Sequence, residues 1–255
     1  MRAALVLLIG CSSILRPVGA QTPPRSPLGN STQDFGGIRT FLRAPYIKDL
    51  ATLEADIAIV GVPLDQGTSN RPGQRYAPRD IREASLIYAW APENGFYYID
   101  TEQTVLKGKR WADVGDVDVI PGDMVRTSQN ISRAVSAIRK RGAFPLVLGG
   151  DHSVAFPAVR GLELPAVTVV HFDTHLDVYG DGDPNVLNHG AWVQQVARLP
   201  GVKFLQIGMR GIANDAEGVA RARALGSTIV ATVRPLGCLE TRVARQHRLD
   251  EERRR

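Results

Sequence analysis

The segment Asp173-Thr174-His175-Leu176-Asp177 sets two carboxylates and an imidazole at every second position. In an extended chain alternate side chains share a face, so Asp173 and His175 point the same way, and Asp177 joins them while the backbone stays extended. Upstream, Gly149-Gly150-Asp151-His152-Ser153 closes an apolar run; downstream comes Asn188-His189-Gly190. Four of the chain's five histidines lie between Gly149 and Gly190, interleaved with Asp151, Asp173, Asp177, Asp181 and Asp183. Imidazole nitrogen together with carboxylate oxygen suits a divalent ion of intermediate hardness, such as Mn2+, better than one that prefers thiolates. A carboxylate can also bridge two ions, and a pair ~3.5–4 Å apart activates water at neutral pH. His171, inside an apolar run, reads as a hydrogen-bonded core residue. His247, in a charged tail, reads as a surface residue, and Asp151 as a cap on the turn that follows it.

Such a site needs elements that bring its parts together. Asp56 to Pro63 is a short β-branched run ending in Gly and Pro, the pattern of a buried parallel strand. Phe144 to Leu148, Ala166 to Phe172, Val202 to Gly208 and Ser227 to Val233 repeat it. Between them lie helical segments. Pro78 opens one. Ile131, Ala134, Val135 and Ile138 form one face of another, stopped by Gly142. A third holds Trp192, Val193, Val196 and Ala197. Asn214 with Glu217 resembles a capping box for a fourth, which Gly226 ends. Strand–helix alternation predicts a mostly parallel sheet covered on both faces. Ligands in such folds lie beyond the carboxyl ends of the strands, where His152, Asp173 and His175 fall.

Composition narrows the class. At 255 residues the chain is long enough for one large α/β domain with a sizeable core. Apolar residues make up 44% and charged residues 22%, with a net charge of +5, much of it from the arginines of residues 241–255. No basic stripe with interleaved aromatics occurs elsewhere, so nucleic acid is not an expected partner. Cys11 and Cys238 are the only cysteines and build no disulfide framework.

Residues 1–20 read as a signal peptide: Arg2, an apolar run from Ala3 to Gly10, then the small residues Val18-Gly19-Ala20. The run is shorter than the ~20 apolar residues of a membrane span. Leu8-Ile9-Gly10-Cys11 also resembles a lipoprotein box, and Arg2, Arg16 and Arg25 before any acid are compatible with a poor transit peptide. The expected location is secreted or periplasmic if the signal is real, and otherwise cytoplasmic or mitochondrial. Residues 21–40 read as a Pro/Ser-rich linker, 41–237 as the domain, and 238–255 as a charged, disordered tail.

Taken together, Gly149-Gly150-Asp151-His152-Ser153, His171 through Asp177 and Asn188-His189-Gly190 resemble the ureohydrolases, the family of arginase and agmatinase. Gly61-Val62-Pro63-Leu64-Asp65, Gly67 through Gly73 and Gln206 through Gly211 look most like its agmatinase branch. The resemblance implies a three-layer α/β/α fold on an eight-stranded, mostly parallel sheet. It also implies two manganese ions and hydrolysis of a linear guanidino compound to urea and an amine, agmatine to putrescine first among them. Guanidinobutyrase and formiminoglutamase are alternatives. His152 and Asp177 would ligate one ion, His175 the other, and Asp173 both; His189 would shuttle protons to the departing amine. The resemblance identifies no substrate-binding residue, and it implies a trimer or hexamer.

One departure qualifies that expectation. The family's second metal motif, Asp-x-Asp-x-x-Asp-Pro followed by Gly-Thr-Gly-x-Pro-Glu, does not occur in these 255 residues. Binding of the second ion is therefore expected to be weak, and a non-catalytic truncated ureohydrolase is the competing expectation.

Overall fold

The computed structural model describes residues 36–232; the expected leader over 1–20, the linker as far as residue 35 and the tail over 238–255 lie outside them. In chain order the elements are β1 (Ile57–Val62), α1 (Ala77–Ser85), α2 (Ala91–Asn94), β2 (Phe96–Tyr98), β3 (Gln103–Val105), β4 (Trp111–Asp116), α3 (Met124–Lys140), β5 (Phe144–Gly149), α4 (Ala155–Gly161), β6 (Val167–Phe172), α5 (Trp192–Ala197), β7 (Val202–Met209), α6 (Ala216–Ala224) and β8 (Thr228–Ala231). Strands and helices alternate as the apolar runs predict. That reading missed β4, the antiparallel hairpin of β2 and β3, and the short helices α2 and α4.

Two parallel sheets carry the fold. One has the order β4-β1-β5 and the other β6-β7-β8. In the first, Ile57 to Val62 of β1 run alongside Phe144 to Gly149 of β5 without a register break. In the second, Val167 to Phe172 of β6 match Val202 to Ile207 of β7. Among the described residues no strand pairs with the outer edge of β5 or of β6.

Side-chain alternation assigns the two faces of β1 to different partners. Ala58, Val60 and Val62 join the main core with Ile131 and Ile138 of α3. Ile59 instead packs with Leu42, Trp111 and Leu148. On that second face α1 delivers Arg82, whose guanidinium meets Asp113 of β4 at 2.8 and 3.0 Å and Asp116 at 2.6 Å. The main core continues into the second sheet through Phe204 and Met209, with Trp192 and Val193 of α5 between.

The caps explain where helices begin and end. Gly142, at φ 81°, follows α3 in the left-handed conformation that glycine tolerates best. Asp215, not Asn214, caps α6: its carboxylate accepts from Gly218 N at 2.6 Å. Asn214 is committed elsewhere, accepting from Leu176 N at 2.9 Å and donating to Thr174 O at 2.8 Å. Long-range bonds of this kind leave no mark on the local sequence, so the capping-box reading picked the neighbouring residue.

Candidate metal centre

The turn after β5 delivers His152. Gly150 sits at φ 28°, and a Cβ there would lie 2.4 Å from Leu64 O and 2.6 Å from Val62 O, so only glycine lets the ends of β1 and β5 cross this closely. Asp151 then caps the short 3-10 turn His152–Val154, accepting from Ser153 N at 2.8 Å. Its other oxygen accepts from Gly67 N at 2.8 Å, tying the Gly67–Gly73 loop to the same turn. This is the capping role the sequence assigned to Asp151.

Beyond β6 the chain supplies the carboxylates. His152 Nδ1 lies 3.1 Å from Asp173 Oδ2 and 2.8 Å from Asp177 Oδ2. His171 Nε2 lies 3.3 Å from Asp173 Oδ2. One potential ligand atom from each of these four residues falls within a 4.8 Å cluster. His175 stands outside that cluster with its side chain 49% exposed; its Nδ1 is 3.6 Å from Asp173 Oδ1, and its backbone N–H donates to the same oxygen at 2.9 Å. The two oxygens of Asp173 therefore face different histidines. Asp177 adopts φ 51°, a left-handed conformation rarely held by a non-glycine residue and concentrated at functional sites.

His171 is held on both sides. Gln206 donates through Nε2 to Leu176 O at 2.9 Å and to His171 Nδ1 at 3.1 Å. The carbonyl of Leu176 fixes the amide's orientation, since an amide oxygen turned that way would face another acceptor. Nδ1 of His171 thus accepts, and Nε2–H is left to donate to Asp173 Oδ2. Burial, helped by the charge of His152, pushes the His171 pKa below its ordinary value. Its neutral ring serves Asp173 as a donor, in keeping with the reading of a hydrogen-bonded core residue, but its ring also offers one of the four potential ligand atoms of the cluster. For Asp173, burial works to raise the pKa. The His175 N–H, His171 and the charge of His152 outweigh it, and the carboxyl is held below its usual range.

The donor set fits a divalent cation. Ligands ~2.1 Å from one ion and at right angles to each other lie about 3 Å apart, and the His152–Asp177 and His152–Asp173 separations are 2.8 and 3.1 Å. Asp177 is 5% exposed, and no lysine or arginine among the described residues pairs with it or with Asp173. Buried carboxylates without a cation are costly. His152, Asp173 and Asp177 are the residues that could hold one, with His175 on the far side of Asp173.

Three partners of the site were given no role in it by the sequence, although Ser69 and Gln206 lie within its agmatinase-like segments. Trp192 Nε1 donates to Asp177 Oδ2 at 2.8 Å. Gln206, fully buried, orients His171. Ser69 meets His189: its backbone N–H lies 3.3 Å and its Oγ 2.9 Å from His189 Nε2. A backbone N–H can only donate, so Nε2 of His189 is an acceptor. His189 N in turn donates to Gly67 O at 3.1 Å, so the Gly67–Gly73 loop and His189 fix each other. Beside Asp173 opens a cleft of about 540 Å³ that Thr174, Gly208 and Arg210 also line.

Parallel sheets with a His/Asp cluster past their strand ends define a class of α/β metal-site domains. Within it the chain belongs to the arginase family, whose sequence model matches residues 55–243. It is similar to the guanidinobutyrase of Pseudomonas aeruginosa, 34% identical over 208 residues, which cover 79% of this chain and 63% of that protein. The agmatinase of Bacillus subtilis is 32% identical over 151 residues, 58% of this chain and 49% of the relative. Among solved structures, proclavaminate amidino hydrolase from Streptomyces clavuligerus superposes with a TM-score of 0.65 at 28% identity, covering 78% of this chain and 65% of that one. The chain spans less than two thirds of the length of each of these relatives. Among the described residues no helix is long and apolar enough to cross a membrane.

Proposed function

We propose that the chain is a manganese-dependent hydrolase of linear guanidino compounds. The observation that carries this reading is the convergence of His152 Nδ1, Asp173 Oδ2 and Asp177 Oδ2 within 3.1 Å of the histidine nitrogen, beside an open cleft. His152, Asp173 and Asp177 would hold one ion, and Asp173 with His175 a second. When bound, such ions supply an activated water and polarise the group under attack.

The protein's own groups have separate tasks. Asp173 and Asp177 would supply the negative charge that holds the ions. His189, held through Nε2 by Ser69 and through its backbone N–H by Gly67, would pass protons to the leaving amine. Arg210 lines the same cleft as Asp173 and carries a positive charge. That favours a substrate whose far end is a carboxylate, because the ammonium tail of agmatine would meet like charge there. A guanidino acid such as 4-guanidinobutyrate therefore moves ahead of agmatine, the first expectation from the sequence; the name of the Pseudomonas relative points the same way.

The test is urea release by the full chain with Mn2+ added, from 4-guanidinobutyrate and from agmatine. The reading expects faster turnover of the acid. Arg210→Ala should lower kcat/KM for the acid by roughly 10- to 100-fold, the worth of a charge-assisted hydrogen bond, while sparing agmatine. Mn2+ binding without urea from either compound would favour the non-catalytic alternative.

A further inference from the structure

Trp192 opens α5 fifteen residues after Asp177, and it is 2% exposed. Its place in the core would explain burial alone. Its contacts are more selective than packing requires. The indole Nε1–H donates to Asp177 Oδ2 at 2.8 Å. The ring lies 4.8 Å from the His152 ring at 38° and 4.9 Å from the His171 ring at 76°. The next residue, Val193, donates its N–H to Asp177 O at 3.3 Å. One side chain thus touches three of the four residues in the His/Asp cluster, and its helix also grips the backbone of the one held at φ 51°.

We propose that Trp192 is a positioning residue of the metal centre: its indole N–H fixes the rotation of the Asp177 carboxylate, and its ring sets the tilt of His152. Indole nitrogen is a donor only. It can occupy one lone pair of Oδ2 without competing for a cation, leaving the other directed toward His152 Nδ1 and Asp173 Oδ2. Without the indole N–H, the Asp177 carboxylate is free to rotate away from His152 before an ion arrives. Hydrogen-bonding partners behind a ligand typically tune metal affinity by roughly 10- to 100-fold. The inference rests on the metal-binding part of the proposed function and not on the substrate.

The experiment compares the full chain with its Trp192→Phe variant, which keeps an aromatic ring and removes the donor. Free Mn2+ is counted by electron paramagnetic resonance during titration, and thermal unfolding is recorded without metal. The expected result is a Mn2+ dissociation constant raised roughly 10- to 100-fold in a variant that still unfolds cooperatively. Equal dissociation constants overturn the proposal and leave the metal centre standing. Failure of the wild-type chain to bind Mn2+ overturns both. Should the variant not fold, the wild-type indole N–H resonance answers the question. It is identified as the one that persists in both Trp90→Phe and Trp111→Phe. It should shift when diamagnetic Zn2+ fills the site, and a resonance that stays in place overturns the assignment.

Discussion

Both oxygens of Asp173 are engaged, by different partners: Oδ2 by His152 and His171, Oδ1 by the backbone and ring of His175. Asp173→Asn keeps the volume and removes the charge, so it should weaken Mn2+ by more than the roughly 10- to 100-fold that losing an outer partner costs. Isothermal titration of Mn2+ into the variant checks this, and an unchanged affinity would remove Asp173 from the site. The spacing of Asp173, His175 and Asp177, with the glycine turn before His152, made these residues legible in the sequence because their geometry is local. Trp192 and Gln206 were not legible as site residues. They lie 15 and 35 residues from the groups they hold; the sequence placed Gln206 in an agmatinase-like segment, but nothing in an apolar run tells which group a polar atom turned inward will meet.

At the scale of elements, two ion pairs tie together parts of the chain, one across a loop and one between α1 and β4. Asp65, at the start of the Gly67–Gly73 loop, accepts from Gly73 N at 2.8 Å and from Arg75 Nε at 2.8 Å. The Arg75 guanidinium holds its carboxyl at about 2, against an ordinary value of 3.8. A carboxyl depressed on folding stabilises the native state above its unfolded pKa and loses that contribution as pH falls toward the folded one. The Asp65 contribution should therefore be complete above about pH 4 and fade between about pH 4 and pH 2. Arg75 is half exposed, which screens the pair, so Asp65→Asn should cost roughly 1–2 kcal/mol at pH 7. In urea unfolding the gap between wild type and variant should close on acidification; a gap independent of pH would rule the ion pair out.

The second pair explains why β4 was missed. Trp-Ala-Asp-Val-Gly-Asp carries two acids and a glycine, the composition of a loop. Asp113 is nevertheless 1% exposed, because Arg82 arrives from α1 and Phe41 N donates to its carboxylate at 2.9 Å. Burial opposes the charge on Arg82, but Asp113 and Asp116 outweigh it and raise its pKa. Arg82→Leu strands a buried carboxylate and should cost about 3–5 kcal/mol, read as a fall in the urea midpoint. The strand becomes readable only once its counter-ion on another element is known.

Across the whole molecule, the site's ligands come from two sheets that share no backbone hydrogen bond among the described residues. His152 follows β5, while Asp173 and Asp177 follow β6. Among the described residues each of those strands has one edge that pairs with no other strand, and Phe144, Val170 and Phe172 on them are exposed. Bare edges of this kind invite association with other chains. Strand–helix alternation read from the sequence anticipated parallel pairing, yet it could not say which strands would be neighbours, because pairing order is set by long-range packing. An ion seated between His152 and the two aspartates would act as a clasp across that seam. Its binding energy would then appear as resistance to unfolding: Mn2+ at 100 times its dissociation constant adds about 2.7 kcal/mol. A melting curve would report occupancy of the centre with no substrate in hand, and a melting temperature indifferent to Mn2+ would mean that the two sheets are held together by their shared core alone.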